Sequence, residues 1–212
     1  MNSLNYQNPT IRIIDKDQAY RAKRIVAQYN KPIHRQILHF IKQKESINVT
    51  DLFIHFRMEQ SVMSQHLKLL RKCNFVTWER KGKFVFYSIN SEGLEDFQDM
   101  SEQVAFPTVK KLLEEGPKTD IAEKAFGVLR AISHDLRLSI IDLIIENESI
   151  YVFQIHETLK IEQSIASQQL AILRRAGIVK TDQKGKNVSY SANVKYLNNI
   201  NEAVHHYFQN FR

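Results

Sequence analysis

The feature that most constrains this chain of 212 residues is an internal repeat. Residues 59–71 reappear, with most side chains unchanged, as residues 162–174. The shift between the two segments is 103 residues, the separation of Ser61 from Ser164, and the same shift aligns residues 17–94 without a gap. Roughly three in ten of the paired positions are identical. A fixed period of this kind indicates two copies of one folding unit.

The length and composition suit two small domains. With 43% hydrophobic residues the chain can bury a core in each copy. We expect a first domain at residues 1–105, including an N-terminal extension, a linker at 106–119 and a second domain at 120–212. Because no apolar run reaches the roughly 18 residues of a membrane helix, and the amino terminus lacks the apolar run of a signal peptide, the expected compartment is the cytoplasm.

The chain is basic, with a net charge of +7 and a pI near 9.4. A positive balance favours a polyanionic partner through long-range electrostatics without identifying one. Residues 1–105 contain 16 Lys and Arg against 11 Asp and Glu, and the remainder contains 14 against 12. The first copy is therefore the more basic of the two.

Each copy begins with a similar series of elements. Asp17 and Asp120 precede Ala-rich helical stretches at 18–28 and 121–132, and we expect both to cap those helices. A second amphipathic helix follows in each copy, then a short extended segment at 47–49 or 150–152, then a short third helix.

The fourth helix has a polar face suited to DNA. In the first copy Met63, Leu67 and Leu70 form its apolar stripe. The opposite face presents short amides and hydroxyls and one cation: Gln60, Ser61, Ser64, Gln65 and Lys68. The second copy repeats the uncharged members as Gln163, Ser164, Ser167 and Gln168. Such groups can donate and accept hydrogen bonds at base edges and phosphates in the major groove, although any solvated helix face is also polar.

A basic hairpin follows the polar helix in both copies. Residues 75–79 and 84–89 alternate as two strands around a tight turn at Gly82. Cations surround this turn and its counterpart at Gly185: Arg80, Lys81 and Lys83 in the first copy, Lys184 and Lys186 in the second. These cations are expected to contact DNA phosphates, the alternative being a turn that lysines merely keep solvated.

These residues resemble the ArsR/SmtB family of bacterial winged-helix transcription regulators. The family's recognition helix has the pattern Gln-Ser-x-x-Ser-x-His-Leu-x-x-Leu, and the first copy matches all of it from Gln60 to Leu70, His66 included. The second copy departs at Gln169, which replaces the histidine. The resemblance implies a mainly α fold with small β-wings, in which two tandem winged helix-turn-helix domains bind double-stranded DNA and regulate transcription, as a repressor.

Family members pair as homodimers through their first and last helices. Since two copies are already joined here, the resemblance implies an intramolecular pseudo-dimer in which the last helix of the first copy packs with the first and last helices of the second. A homodimer of tandem chains is the alternative.

No metal or other cofactor is expected. The helix before the polar helix contains no cysteine in either copy, which excludes the thiolate sites that many relatives use. His205 and His206 are adjacent, so they lie about 100° apart on a helix and cannot face one ion together. A surface site formed by Glu202 with one of them is the alternative to solvated histidines. The single cysteine, Cys73, excludes an internal disulfide and is expected to be buried.

The copies also differ in ways that leave alternatives open. Phe84 and Phe86 stand where the second copy has Asn187 and Ser189, so the first wing strand is apolar on both faces and is expected to be covered. Lys68 becomes an alanine in the second copy. The alternative function is a tandem winged-helix module that binds proteins, as chromosome-segregation accessory proteins do. No catalytic motif is present, and we expect no enzymatic activity.

Overall fold

The computed structural model describes residues 14–113, 121–185 and 187–211, and for residues 106–113 and 184 it describes the backbone alone. Within this part of the chain each copy forms five helices and one three-stranded sheet. The first copy contains α1 (Lys16–Tyr29), α2 (Pro32–Lys44), β1 (Ser46–Asn48), α3 (Val49–His55), α4 (Gln60–Lys72), β2 (Val76–Lys81), β3 (Phe84–Ile89) and α5 (Ser91–Leu113). The second contains α6 (Ile121–Ile132), α7 (Asp135–Glu146), β4 (Ile150–Tyr151), α8 (Val152–Leu159), α9 (Gln163–Arg175), β5 (Val179–Lys184), β6 (Asn187–Ala192) and α10 (Val194–Asn210). The prediction of a mainly helical fold with small wings, built twice in tandem, is confirmed.

Asp15, and not Asp17, caps α1. The backbone of Asp15 is extended (φ −61°, ψ 102°), and its carboxylate accepts hydrogen bonds from the backbone N–H groups of Asp17 and Gln18. Asp17 lies in the first turn of the helix, where its charge still complements the helix dipole. The expectation for Asp17 is therefore wrong, and Asp120 lies outside the described residues.

The two sheets have the same antiparallel topology. In the first, β3 lies between β1 and β2, and the β2–β3 register pairs Val76 with Ile89 and Lys81 with Phe84. Two residues therefore remain for the turn, and Gly82 takes a positive φ of 61° that most side chains disfavour. The second sheet repeats this arrangement with β6 in the centre and Gly185 at φ 64°.

The core of each copy lies between its first helix, its fourth helix (α4 or α9) and the base of its hairpin. In the first copy Tyr29, Phe75 and Phe97 form an aromatic cluster with ring centroids 4.7 to 5.8 Å apart. Phe75 and Phe97 are buried, so α5 is packed against the C-terminal end of α4. The cluster thus joins α1, α5 and the segment that follows α4.

The copies contact each other through their first and last helices. α1 packs on α6, and α5 packs on both α6 and α10. Tyr196 on α10 donates a buried hydrogen bond of 2.5 Å to the backbone carbonyl of Val104 on α5. The amide of Asn30 donates to the carbonyl of Ala122, and Lys16 forms an exposed ion pair with Asp135. Apolar packing and a few polar contacts thus join the two halves.

The last helix of the first copy extends toward the second copy. Its backbone is helical from Ser91 to Leu113, and therefore into the segment 106–119 that we predict to be the linker. The domain limits themselves remain a prediction. None of the helices in the described residues combines the length and the apolar character needed to cross a membrane.

Candidate DNA-binding surface

The helix α4 separates its two faces as the sequence predicts. Met63, Leu67 and Leu70 are fully buried and attach the helix to the core. The side chains on the outer face are all exposed: Gln60, Ser61, Ser64, Gln65 and Lys68. They form one continuous polar surface of a size that a major groove can accept.

The helix α9 repeats this arrangement in the second copy. Ala166, Leu170 and Leu173 are buried in the positions of the first copy's apolar stripe. The four matching polar residues are exposed: Gln163, Ser164, Ser167 and Gln168. Each copy therefore exposes the same four amides and hydroxyls from a helix that its core holds in place.

An acidic residue at the start of each of these helices escaped the sequence analysis. The hydroxyl of Ser61 donates to the carboxylate of Glu59 at 3.4 Å, and that of Ser164 donates to Glu162 at 3.2 Å. Glu59 and Glu162 make no capping bond to the backbone. Each carboxylate instead orients a serine that we predict to contact DNA. Their identity in both copies was the available sequence signal.

The first wing presents cations that are partly held by the wing itself. Arg80 donates from Nε to the carbonyl of Gly82 at 3.2 Å, so its side chain curls over the turn. Lys81 pairs with Glu79 at 3.0 Å and lies 5.6 Å from the ring of Phe86. Arg80, Lys81 and Lys83 are all exposed. The tip of this hairpin is therefore a positive protrusion beside α4.

The second wing is built in the same way with fewer cations. Gln183 occupies the position of Arg80 and donates to the carbonyl of Gly185 at 3.2 Å, which keeps the turn bond and removes the charge. The backbone of Lys184 ends β5, while Lys186 lies outside the described residues. An electrostatic contact with phosphates is accordingly expected to be weaker here than in the first copy.

The apolar wing strand of the first copy is only partly covered by the residues that the structure describes. Phe84 is 53% exposed, and Trp78 on the neighbouring strand is 50% exposed. Phe86 is half-buried and lines a depression together with Ile54 and Phe40. The expectation that this strand is covered is therefore not met at Phe84 by the described residues.

A pair of histidines lies behind the exposed face of α4. His34 on α2 is fully buried; its Nδ1 lies 2.8 Å from the carbonyl oxygen of Gln28, and its Nε2 lies 3.0 Å from Nδ1 of His66 on α4. Burial lowers the pKa of both imidazoles below the usual 6.5. The sequence analysis did not predict this link between His34 and His66.

The second copy has a different pair at the same place. Arg137 and Gln169 occupy the positions of His34 and His66. The guanidinium of Arg137 donates to the carbonyls of Ala131 and Arg130 at 2.7 Å and to the side-chain oxygen of Gln169 at 2.9 Å. Both pairs therefore join the end of the first helix to the recognition helix.

Cys73 is buried at the end of α4, as expected. Burial raises the pKa of its thiol to about 11, so the reactive thiolate is scarce near neutral pH. In the part of the chain that the structure describes, no three His, Cys, Asp or Glu side chains are close enough to hold a metal ion. The absence of a metal site remains a prediction.

Comparison with known proteins gives two matches to one family. The sequence model described as "Bacterial regulatory protein, arsR family" matches residues 31–77 and again residues 134–181. The matched segments correspond to each other under the internal repeat, and each runs from the second helix to the first strand of the hairpin. Both copies thus contribute independently to the assignment.

Individual relatives correspond in length to about one copy. The chain is 32% identical over 65 residues to the transcriptional repressor SdpR of Bacillus subtilis, a match that covers 31% of this chain and 71% of that protein. It is 33% identical over 82 residues to the transcriptional activator HlyU of Vibrio cholerae, covering 39% and 75%. The chain also resembles the crystal structure of the transcriptional repressor PagR of Bacillus anthracis, with 29% sequence identity and a TM-score of 0.34. That match covers 38% of this chain and 91% of PagR. On the two sequence matches and the repeated family match, the chain belongs to the arsR family of bacterial regulatory proteins.

Proposed function

We propose that this protein binds double-stranded DNA sequence-specifically and regulates transcription, using α4 and α9 as its two recognition helices. The observation that supports this most directly is the repeated outer face, on which Gln60, Ser61, Ser64 and Gln65 recur with the same exposure in the second copy. A helix face that only met solvent would have no physical reason to keep these four side chains through two otherwise divergent copies.

Each side chain has a role that its chemistry allows. Gln65 and Gln168 project from the middle of the exposed faces, where an amide can bind the edge of adenine with two hydrogen bonds. The serines and the cations Lys68, Arg80, Lys81 and Lys83 contact phosphates, as do Lys184 and Lys186 in the second copy. In this scheme the amides supply specificity and the cations supply affinity that depends on salt.

We propose further that one chain is the DNA-binding unit. The packing of α5 on α6 and α10, together with the Tyr196–Val104 bond, supports a pseudo-dimer within the chain. Light scattering of the purified protein tests this, and the mass of one chain, 24.9 kDa, is the expected result. A stable mass of two chains would favour the homodimer of tandem chains.

Repression is the favoured direction of regulation, by occlusion of a promoter in the cytoplasm, where the chromosome is accessible. The names of the relatives include repressors and an activator, so the direction is tested separately. Deletion of the gene with a transcript measurement is the test, and increased transcription of the genes next to the bound sites is the outcome expected of a repressor.

Selection of bound duplexes from a random-sequence pool tests the DNA-binding function. Selected duplexes should bind the wild type far more tightly than competitor DNA, and Gln65→Ala or Gln168→Ala should each lower affinity for them by roughly 5- to 100-fold, the range of one lost base contact. Lys83→Ala should weaken binding to all sequences and lower the salt slope by about one. Gln98→Ala on α5, also an exposed glutamine, is the matched control and should change nothing.

Weak binding without sequence preference, unchanged by either glutamine substitution, would contradict the proposed function. A protein partner for the tandem winged helices would then be the better explanation, and the exposed apolar side chains of the first wing, Phe84 and Trp78, would be the place to look for it.

A further inference from the structure

A pair of hydrogen-bonded side chains lies behind each of the proposed recognition helices, α4 and α9. In the first copy a chain of two hydrogen bonds runs from the carbonyl of Gln28, at the end of α1, through His34 on α2 to His66 on α4. Because His34 is fully buried, water cannot replace either partner without a rearrangement. This chain is therefore a polar tether between the body of the copy and its recognition helix.

The number of protons that this tether can hold is limited. The carbonyl of Gln28 only accepts, so Nδ1 of His34 keeps its hydrogen and Nε2 of a neutral His34 accepts from Nδ1–H of His66. One extra proton is tolerated, since a charged His34 can donate to His66 once the latter changes tautomer. A second proton places two N–H groups 3.0 Å apart, facing each other, and no hydrogen bond remains between the rings.

The charges around the pair also oppose protonation. Burial is the main reason that both imidazoles have a pKa below 6.5. The carbonyl of Gln28 offsets part of this at His34 because it accepts from Nδ1, while the ammonium of Lys31, in the connection between α1 and α2, lowers the pKa of both rings. Each ring also faces the other, and α1 contributes the uncharged carbonyl of Gln28. On α2 the neighbouring Arg35 donates to Tyr29 and Asn30 at the end of α1. A protonated pair therefore has the ammonium of Lys31 nearby and only the uncharged carbonyl of Gln28 as an acceptor.

The second copy makes the same connection without a group that titrates near neutral pH. Arg137 remains charged and donates to two backbone carbonyls and to Gln169. Burial lowers the pKa of Arg137, but from so basic a range that the guanidinium stays charged. A glutamine oxygen accepts this bond at any pH between 5 and 9. Both members of the pair differ between the copies. In each copy the two side chains can still form a hydrogen bond with each other, His34 with His66 and Arg137 with Gln169.

We propose that His34 and His66 make the position of the first recognition helix, and therefore DNA binding by the first copy, sensitive to pH, whereas Arg137 and Gln169 hold the second recognition helix independently of pH. His34 and Arg137 are positioning residues, since they act through the helix and lie behind its DNA-facing surface. The inference rests on the proposed DNA-binding function.

The direction of the effect follows from the lowered pKa values. Both histidines have a lower pKa in the tethered state than when they are free. They therefore stabilise the tethered state fully above about pH 6.5, and this stabilisation decreases as the pH falls toward the lowered pKa. Affinity for DNA that needs an ordered α4 should therefore decrease between pH 7.5 and 5.5. Each unit of difference in pKa corresponds to about a tenfold change in the equilibrium between the tethered and the free helix, which is the upper limit of the effect on affinity.

An exchange of the two pairs tests the proposal in the full chain. His34→Arg with His66→Gln gives the first copy the tether of the second, and Arg137→His with Gln169→His does the reverse. The probe is a duplex selected by the wild type at pH 7.5, and affinity is measured from pH 8 to 5.5 at constant ionic strength. All other histidines are unchanged, so their contribution to the pH profile is common to the variants.

We expect the wild type to lose more affinity across this range than the His34→Arg, His66→Gln variant, by up to about tenfold for each unit by which a pKa is lowered, and the reverse exchange to lose more than the wild type. Selective binding at pH 7.5 with parallel pH profiles in all three proteins would overturn the inference and leave the proposed function intact. A uniform loss of affinity at every pH would indicate a purely structural role and would also overturn it. No selective binding by the wild type at pH 7.5 would overturn the proposed function and this inference with it.

A second measurement covers the case in which the exchanged proteins fail to fold. His66→Gln alone leaves His34 with an amide that can donate or accept, so its pH profile should be flatter than that of the wild type. In the unmodified protein, amide resonances of α4 should shift together with the ring resonances of His34 and His66 on acidification, while those of α9 stay constant. An α4 that does not respond while the rings titrate would overturn the proposal.

Discussion

The two copies share the core-facing side chains of the hairpin and the outer faces of α4 and α9, but they differ on the exposed side of the wing. In the hairpin, Val85 and Tyr87 recur as Val188 and Tyr190, and all four are half-buried against their copies. On the other side of the same strand Phe84 of the first copy corresponds to Asn187. The fold therefore does not need the exposed aromatic rings of the first wing, which the second copy lacks.

The two copies also differ in the cations of the proposed DNA-binding surface. The first copy has Lys68 on its recognition helix and Arg80 on its wing, where the second has Ala171 and Gln183. The turn bond to a glycine carbonyl is retained with either wing residue. Charge has thus changed while geometry has not, and so the copies are expected to differ more in affinity for DNA than in the base pairs that their common amides recognise.

Truncation of the matched core leucines should have the largest effect and tests whether the copies unfold as one unit. Leu67→Ala and Leu170→Ala each remove a fully buried side chain from a recognition helix, at a cost of about 3 kcal/mol. Because α5 packs on α6 and α10, both substitutions should lower the midpoint of a single denaturant transition. Two transitions, each moved by only one of the substitutions, would show that the copies fold independently.

Two helical glycines provide the next largest contrast. A Cβ atom at Gly93 would overlap the carbonyl oxygen of Asn74, while one at Gly127 would meet nothing within 4 Å. Gly93→Ala should therefore destabilise the protein by about 1 to 3 kcal/mol through overpacking. Gly127→Ala should stabilise it by about 0.5 to 1 kcal/mol, since alanine is the better helix former. Thermal unfolding of the two variants checks both signs, and stabilisation by Gly93→Ala would contradict the close approach of α5 to Asn74.

A smaller effect is expected from two buried tyrosines on α10. Tyr196→Phe removes the hydroxyl that bonds to Val104 across the two copies and should cost about 1 kcal/mol. The hydroxyl of Tyr207 is buried and has no hydrogen-bond partner among the described residues, so Tyr207→Phe should be neutral or stabilising. Equilibrium unfolding of both variants makes the comparison, and an equal cost for the two would argue against the Tyr196–Val104 bond.

The smallest effect is expected at the ion pair between Lys16 and Asp135. Their hydrogen bond lowers the pKa of Asp135 and raises that of Lys16, but both side chains are exposed. Its contribution should be present above pH 3.8, decrease as the pH falls through the lowered pKa of Asp135, and disappear in high salt. Asp135→Asn should barely lower the unfolding midpoint at low salt.

Asp142→Asn should instead raise the unfolding midpoint slightly, because it neutralises a carboxyl whose pKa is raised by burial.

Local pattern was sufficient to predict the repeat, the helix order, the hairpins and the two faces of each recognition helix. It failed for the α1 cap because Asp15 and Asp17 are equally suitable by type. The choice is influenced by a distant contact, since the N–H of Asp15 donates to Asn201 near the other end of the chain. The His34–His66 link also depends on long-range packing. Both positions differ between the copies, as Arg137 and Gln169, but about seven in ten of the paired positions also differ, so this difference did not identify the contact.

The helix α5 runs from the hairpin of the first copy toward the second copy, so dilution does not separate the two recognition helices. A regulator assembled from separate subunits loses half of its DNA contacts when its concentration falls below the dimerisation constant. Within one chain the second copy is held near the first at an effective concentration on the order of millimolar. If one chain is the DNA-binding unit, as proposed, occupancy of a target site rises with the first power of its concentration, not the second. The response is then graded, and the DNA affinity alone sets the threshold.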